Sequence, residues 1–106
     1  MHSHEDGSER VHTEDLVLDI GEGFGALVLY TGPELIGREI EVSRKGQEHP
    51  RTHTAVHERR VQGAVVFAGV YPELPEGEYR IWTDEPRPVT EFTIESGQVC
   101  EVDWRP

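Results

Sequence analysis

The chain has one cysteine, Cys100, one lysine, Lys45, and no asparagine in 106 residues. A lone cysteine cannot close an internal disulfide, which excludes a disulfide-built secreted fold. Without asparagine there is no N-glycosylation site. The start, Met1-His2-Ser3-His4-Glu5-Asp6, has neither the basic n-region nor the apolar h-region of a secretory signal. No apolar run approaches the ~20 residues of a membrane span. Cytoplasmic residence is the expectation from these absences. Basic side chains are also scarce: Lys and Arg number 10 against 21 Asp and Glu, a net charge of −11. That balance speaks against general nucleic-acid binding, which depends on neutralising phosphates. It speaks equally against docking on anionic lipid. Solubility is its plainest consequence.

The charge is unevenly spread. Residues 1–15 carry one Arg against five acids, and residues 71–106 carry three Arg against nine. Residues 38–60 hold six Lys or Arg against four acids, together with His49, His53 and His57. The length allows one domain with one core, burying roughly 60–70% of the unfolded surface. Residues 1–13, poor in apolar groups, are expected to form a flexible, disordered His- and acid-rich tail. Residues 14–106 are expected to form the folded body.

Within the body, short β-rich runs alternate with Gly/Pro punctuation about every ten residues, which favours a sandwich or barrel over a helical fold. Leu16, Leu18 and Ile20 alternate with Val17 and Asp19. Phe24 to Thr31 is apolar on both faces, as a central strand should be, and Gly32-Pro33 ends it. Ile40 and Val42 point inward between Glu39, Glu41 and Ser43, with a period of two. Thr52 to Val61 is mixed, and Ala64 to Tyr71 is again apolar on both sides. Tyr79 and Ile81 face in, while Arg80 and Trp82 face out. Phe92 and Ile94 lead into Ser96-Gly97, a two-residue hairpin signal. Cys100, Val102 and Trp104 alternate with Glu101 and Asp103. Seven or eight strands result, and Gly32 to Gly37 is a helical turn at most.

Leu74-Pro75-Glu76-Gly77-Glu78-Tyr79 is the most telling stretch. Pro75 presets the turn and Gly77 supplies the positive φ. The Leu-x-x-Gly-x-Tyr spacing resembles the tyrosine corner of Greek-key sandwiches, where the phenol hydroxyl bonds back to nearby backbone. Over residues 24–104, the order is Gly25-Ala26-Leu27-Val28, Glu39-Ile40-Glu41-Val42, Phe67, the Leu74–Tyr79 corner and Val89 to Trp104. This resembles the prealbumin-like (transthyretin-like) sandwich of carboxypeptidase regulatory modules and bacterial adhesin repeats. The resemblance implies an antiparallel sandwich of about seven strands and says little about function, because that architecture hosts many roles. Adhesin repeats often carry a Lys–Asn isopeptide bond, which a chain without asparagine cannot form. Hydroxyisourate hydrolase, the enzyme among prealbumin-like proteins, ends in Tyr-Arg-Gly-Ser, whereas this chain ends Asp103-Trp104-Arg105-Pro106.

Three constellations are candidates for chemistry. Gly21-Glu22-Gly23-Phe24-Gly25-Ala26 matches G-x-G-x-x-A, but a dinucleotide site needs a helix after it. Leu27 to Thr31 is β-like, so a glycine-rich hairpin is the better account. His53-Thr54-Ala55-Val56-His57 would clasp zinc on a helix. On a strand the two imidazoles stand about 13 Å apart, too far to share one ion. There Arg51, His53, His57 and Arg59 would line one strand face, a polar stripe whose charge rises as pH falls through about 6.5. An ordinary exposed strand is the bland account of the stripe, and a surface for an acidic partner the sharper one. In the tail, His2, His4 and His12 stand among Glu5, Asp6, Glu14 and Asp15, and His-x-His suits copper, nickel or zinc. Simple solvation, or residues left by cloning, explains the same histidines.

A hydrolytic reading finds little support. None of the serines Ser3, Ser8, Ser43 and Ser96 sits in a G-x-S-x-G elbow. Cys100 alternates with acids on a predicted strand and belongs to the core. The pairs Glu39/Glu41, Glu76/Glu78 and Glu101/Asp103 read as solvation and edge protection. The first expectation is therefore a non-enzymatic binding or assembly module that uses Arg51, His53, His57 and Arg59, or a strand edge, on a protein partner or a second copy. The alternative is a metal-binding or metal-handling protein drawing on His2, His4, His12, His49, His53 and His57.

Overall fold

The computed structural model describes residues 20–82 and 90–105. Eight strands and one 3₁₀ turn, Pro33–Leu35, make up the regular structure among them. The strands are β1 (Phe24–Thr31), β2 (Glu39–Arg44), β3 (Thr52–Ala55), β4 (His57–Val61), β5 (Ala64–Pro75), β6 (Gly77–Trp82), β7 (Thr90–Ile94) and β8 (Val99–Asp103). They form two four-stranded sheets, β4-β5-β1-β8 and β3-β2-β6-β7, packed as a β-sandwich. No helix among the described residues is long and apolar enough to cross a membrane. The expected tail, with His2, His4 and His12, and the Leu16–Leu18 part of the first expected strand lie outside the described residues.

Period-two patterning decides what enters the core. β1 sends Leu27 and Leu29 inward, β2 Ile40 and Val42, β6 Tyr79 and Ile81, β7 Phe92 and Ile94, and all are buried between the sheets. β1 and β5 are apolar on both sides, and their other faces hold a second cluster of Ala26, Val28, Tyr30, Val66 and Ala68, against which Ile20 packs. β1 is flanked on both sides, antiparallel to β5 and parallel to β8. That one parallel pairing departs from the all-antiparallel expectation.

The corner forms as its residues imply. Gly77 has φ +147°, and the Tyr79 hydroxyl donates to the Pro75 carbonyl at 2.6 Å. Tyr79 also stacks on Phe92, with ring centroids 5.4 Å apart. A second tyrosine ties the two sheets together: the Tyr71 hydroxyl on β5 donates to the Ile40 carbonyl on β2.

Two local expectations change. Ser96-Gly97 does turn the chain, with Gln98 N–H donating to Glu95 O at 3.1 Å, but the turn joins opposite sheets and makes no hairpin ladder. β1 captures the outgoing chain instead: Gly97 N–H donates to Phe24 O at 2.8 Å, and Ala26 N–H to Gln98 O at 3.0 Å. Gly25 permits that approach, because a Cβ there would lie 2.6 Å from Glu95 O. The glycine-rich stretch Gly21–Gly25 is a turn into β1, with no helix following.

The mixed run 52–61 is two strands in opposite sheets, β3 and β4, separated by Val56. Val56 is fully buried, its N–H donates to Arg38 O at 3.0 Å, and its carbonyl accepts from Gly37 N–H at 2.8 Å. Those bonds hold the chain at the crossing between the layers.

Candidate functional site: a tryptophan between two arginines

The crossing at Val56 divides the expected stripe. Every second residue still points away from the core, but the layer behind it changes. Arg51, just before β3, and His53 therefore lie on the outer face of the second sheet, whereas His57 and Arg59 on β4 face outward from the first sheet. The four side chains do not form one strand face. His53 Nδ1 sits 3.4 Å from Glu39 Oε1. Arg59 Nε donates to Ala68 O at 3.1 Å, and burial lowers its guanidinium pKa. His49 is exposed in the β2–β3 loop, next to the cis His49–Pro50 bond.

What the fold does bring together lies around Trp82. Pairing of β6 with β2 sets Trp82 opposite Glu41 and Arg80 opposite Ser43. The indole Nε1–H donates to Ser43 Oγ at 2.8 Å, and that hydroxyl donates to Gln47 O at 2.6 Å. The ring orientation is thus locked through a buried serine. The Arg51 guanidinium lies 4.1 Å from the ring centroid, and that of Arg80 lies 5.4 Å away. A guanidinium over indole is worth about 0.5–1 kcal/mol at an exposed site.

The cations are held in place. Arg51 Nη1 donates to Glu41 Oε1 at 2.8 Å, and its Nε donates to Glu48 O at 3.0 Å. Arg80 Nη2 and Lys45 Nζ both lie 3.4 Å from Glu91. Hydrogen bonds from Arg80 and Lys45 hold the Glu91 carboxyl below the usual carboxylate range. Arg80 Nε is buried and makes no hydrogen bond among the described residues. The result is an indole with guanidinium groups held over its ring, on a face where Lys45, Arg51 and Arg80 alternate with Glu39, Glu41, Glu78 and Glu91. Fixed planar guanidinium groups suit bidentate recognition of carboxylates.

Cys100 is half-buried against the core. Burial pushes its thiol pKa up, and the charge of Glu101 adds to the shift. A thiol held in its neutral form is a poor nucleophile. Among the described residues, no group of three or more His, Cys, Asp and Glu is gathered as a metal site. His53 and His57 stand on opposite faces of the sandwich.

Sequence reasoning identified Arg51 and set Arg80 and Trp82 outward, but it did not join them. The available signal was Arg80-x-Trp82, a cation and an indole repeating on one strand face. That Arg51 reaches the same ring depends on the β3-β2-β6 strand order, which no local pattern states. No family model, curated protein or solved structure matches this chain.

Proposed function

We propose that the chain is a non-enzymatic binding module that holds a carboxylate-rich protein partner on the outer face of its second sheet. The observation that carries this reading is Trp82, locked by Ser43 and flanked by Arg51 and Arg80. Trp and Arg are the side chains over-represented where interface energy concentrates. An acidic partner segment would exchange with Glu41 and Glu91 for the guanidinium donors and lay its stems on the indole. We further read the sandwich as the Greek-key, prealbumin-like type. The Tyr79–Pro75 corner bond and the sheet order support that assignment.

The test is to capture partners on the immobilised protein, purify the tightest, and titrate it against variants. Arg51→Glu combined with Arg80→Glu, and separately Trp82→Leu, should each weaken binding by about tenfold or more, which corresponds to a hot-spot loss of at least ~1.4 kcal/mol. Arg59→Glu, on the opposite face, should leave binding unchanged. Equal affinity for all three variants would overturn the proposal.

A further inference from the structure

We propose that residues 14–19 strap the outer face of the first sheet, setting Leu16 and Leu18 beside Ile20 on a cluster that faces away from the main core. That face is on the opposite side of the sandwich from Trp82, and the inference does not depend on how the Trp82 site is read. β1 is apolar on both sides, and strands of that kind are covered on both faces. Leu27 and Leu29 enter the core between the sheets, while Ala26, Val28 and Tyr30 point the other way, beside Val66 and Ala68 of β5. This outward cluster is nonetheless closed to water: Ala26, Val28 and Ala68 are 0% exposed, Tyr30 6% and Val66 8%. Strand pairing sets Val28 between Val70 and Glu101, and Glu101 is itself exposed. Among the described residues, Ile20 packs on the cluster from outside the strands, and the Arg105 guanidinium lies 4.8 Å from the Tyr30 ring centroid. Two side chains cannot shield five, so more of the chain must lie over them.

The turn entering β1 selects the segment. Phe24 N–H donates to Gly21 O at 3.2 Å and Gly23 has φ +83°, so residues 21–24 reverse the chain direction. The residues before Gly21 are thereby sent back along β1, over the face on which Ile20 already rests. From Ala26 to Tyr30 the strand covers about 13 Å, and an extended segment 14–20 spans about 20 Å. Leu16, Leu18 and Ile20 recur at every second residue, so one extended face carries all three across Val28 to Tyr30. Asp15, Val17 and Asp19 then face water. Residues 83–89 connect β6 to β7, both in the second sheet, and so begin and end away from this face.

NMR on the full wild-type chain reads the contact without a substitution. Nuclear Overhauser effects should join the methyls of Leu18 and Leu16 to Val28, Val66 or the Tyr30 ring. In an equimolar mixture of isotope-labelled and unlabelled chains, these contacts should arise within one chain. Urea unfolding gives the second readout. Leu16→Asp and Leu18→Asp should each lower the midpoint by about 1 M or more, through the loss of a buried leucine. Val17→Asp, on the water side, should move it by less than about 0.3 M. Leucine methyls with no contact to the cluster would overturn the proposal, as would contacts that arise only between labelled and unlabelled chains. So would a Val17→Asp midpoint as low as those of the two leucine variants. None of these measurements involves a partner, so they can fail while the Trp82 reading stands, and the reverse.

Discussion

Replacing Tyr71 by Phe removes one oxygen and leaves the ring. Tyr71 is 3% exposed and its hydroxyl donates to the carbonyl of Ile40, itself 5% exposed, so the bond joins the two sheets where water does not reach. The substitution forfeits a hydrogen bond worth about 1 kcal/mol net and strips a buried carbonyl of one partner, for a total of about 1–2.5 kcal/mol. In a domain of this size that lowers the melting temperature by roughly 4–8 °C per kcal/mol. The matched control is Tyr79→Phe, whose hydroxyl bonds to the carbonyl of the exposed Pro75. That carbonyl can turn to water, so its loss should stay near about 0.5–1 kcal/mol. Urea unfolding with unchanged slope reads both. Burial also raises the Tyr71 hydroxyl pKa above the ordinary value of 10.0. The unfolded chain then gives up that proton first, so this stabilisation is complete below pH 10 and declines above it, and Tyr71→Phe should flatten the decline. A Tyr71→Phe loss below about 0.5 kcal/mol, or one no larger than that of Tyr79→Phe, would refute the reasoning.

Gly25→Ala sets a Cβ 2.6 Å from Glu95 O and 2.9 Å from Gln98 O, both backbone atoms, and should cost about 1–3 kcal/mol in urea unfolding. Asp103 accepts from the Arg105 side chain at 2.7 and 2.9 Å and from its N–H, which lowers its carboxyl pKa to about 2. The pair's small stabilisation is therefore complete above the ordinary Asp range and is lost as pH falls through about 2. Arg105→Ala should return the Asp103 NMR titration midpoint toward about 3.9. Cys100, with its thiol pKa raised by burial, should react with iodoacetamide about tenfold or more slowly in the native chain than in urea.

Much of the fold was legible because a strand's side chains alternate with a period of two. Ile40, Val42, Tyr79 and Ile81 all occupy the core face their spacing implies, and Arg80 and Trp82 point outward. Gly32-Pro33 ended β1, and the Leu74–Tyr79 turn announced the phenol bond to Pro75. The candidate site was legible only in pieces. Arg51 meets Trp82 because β3 and β6 both border β2, a relation between residues 31 apart in sequence. Tyr71 gave no local sign of bridging the sheets, since its partner is a carbonyl on β2.

The amino-acid order by itself determined which side chains turn toward the interior and which toward water, because backbone pleating converts local spacing into that choice. Only the tertiary structure decided which layer each strand joins. At Val56, hydrogen bonds to Gly37 and Arg38 carry the chain from one sheet to the other. The same inward–outward rhythm then continues on the opposite side of the molecule, so Arg51 and His53 part from His57 and Arg59. At Ser96-Gly97, β1 likewise takes the chain that a local hairpin would have returned to β7. Sheet membership is set by partners far apart in sequence, and alternation along one strand carries no information about them.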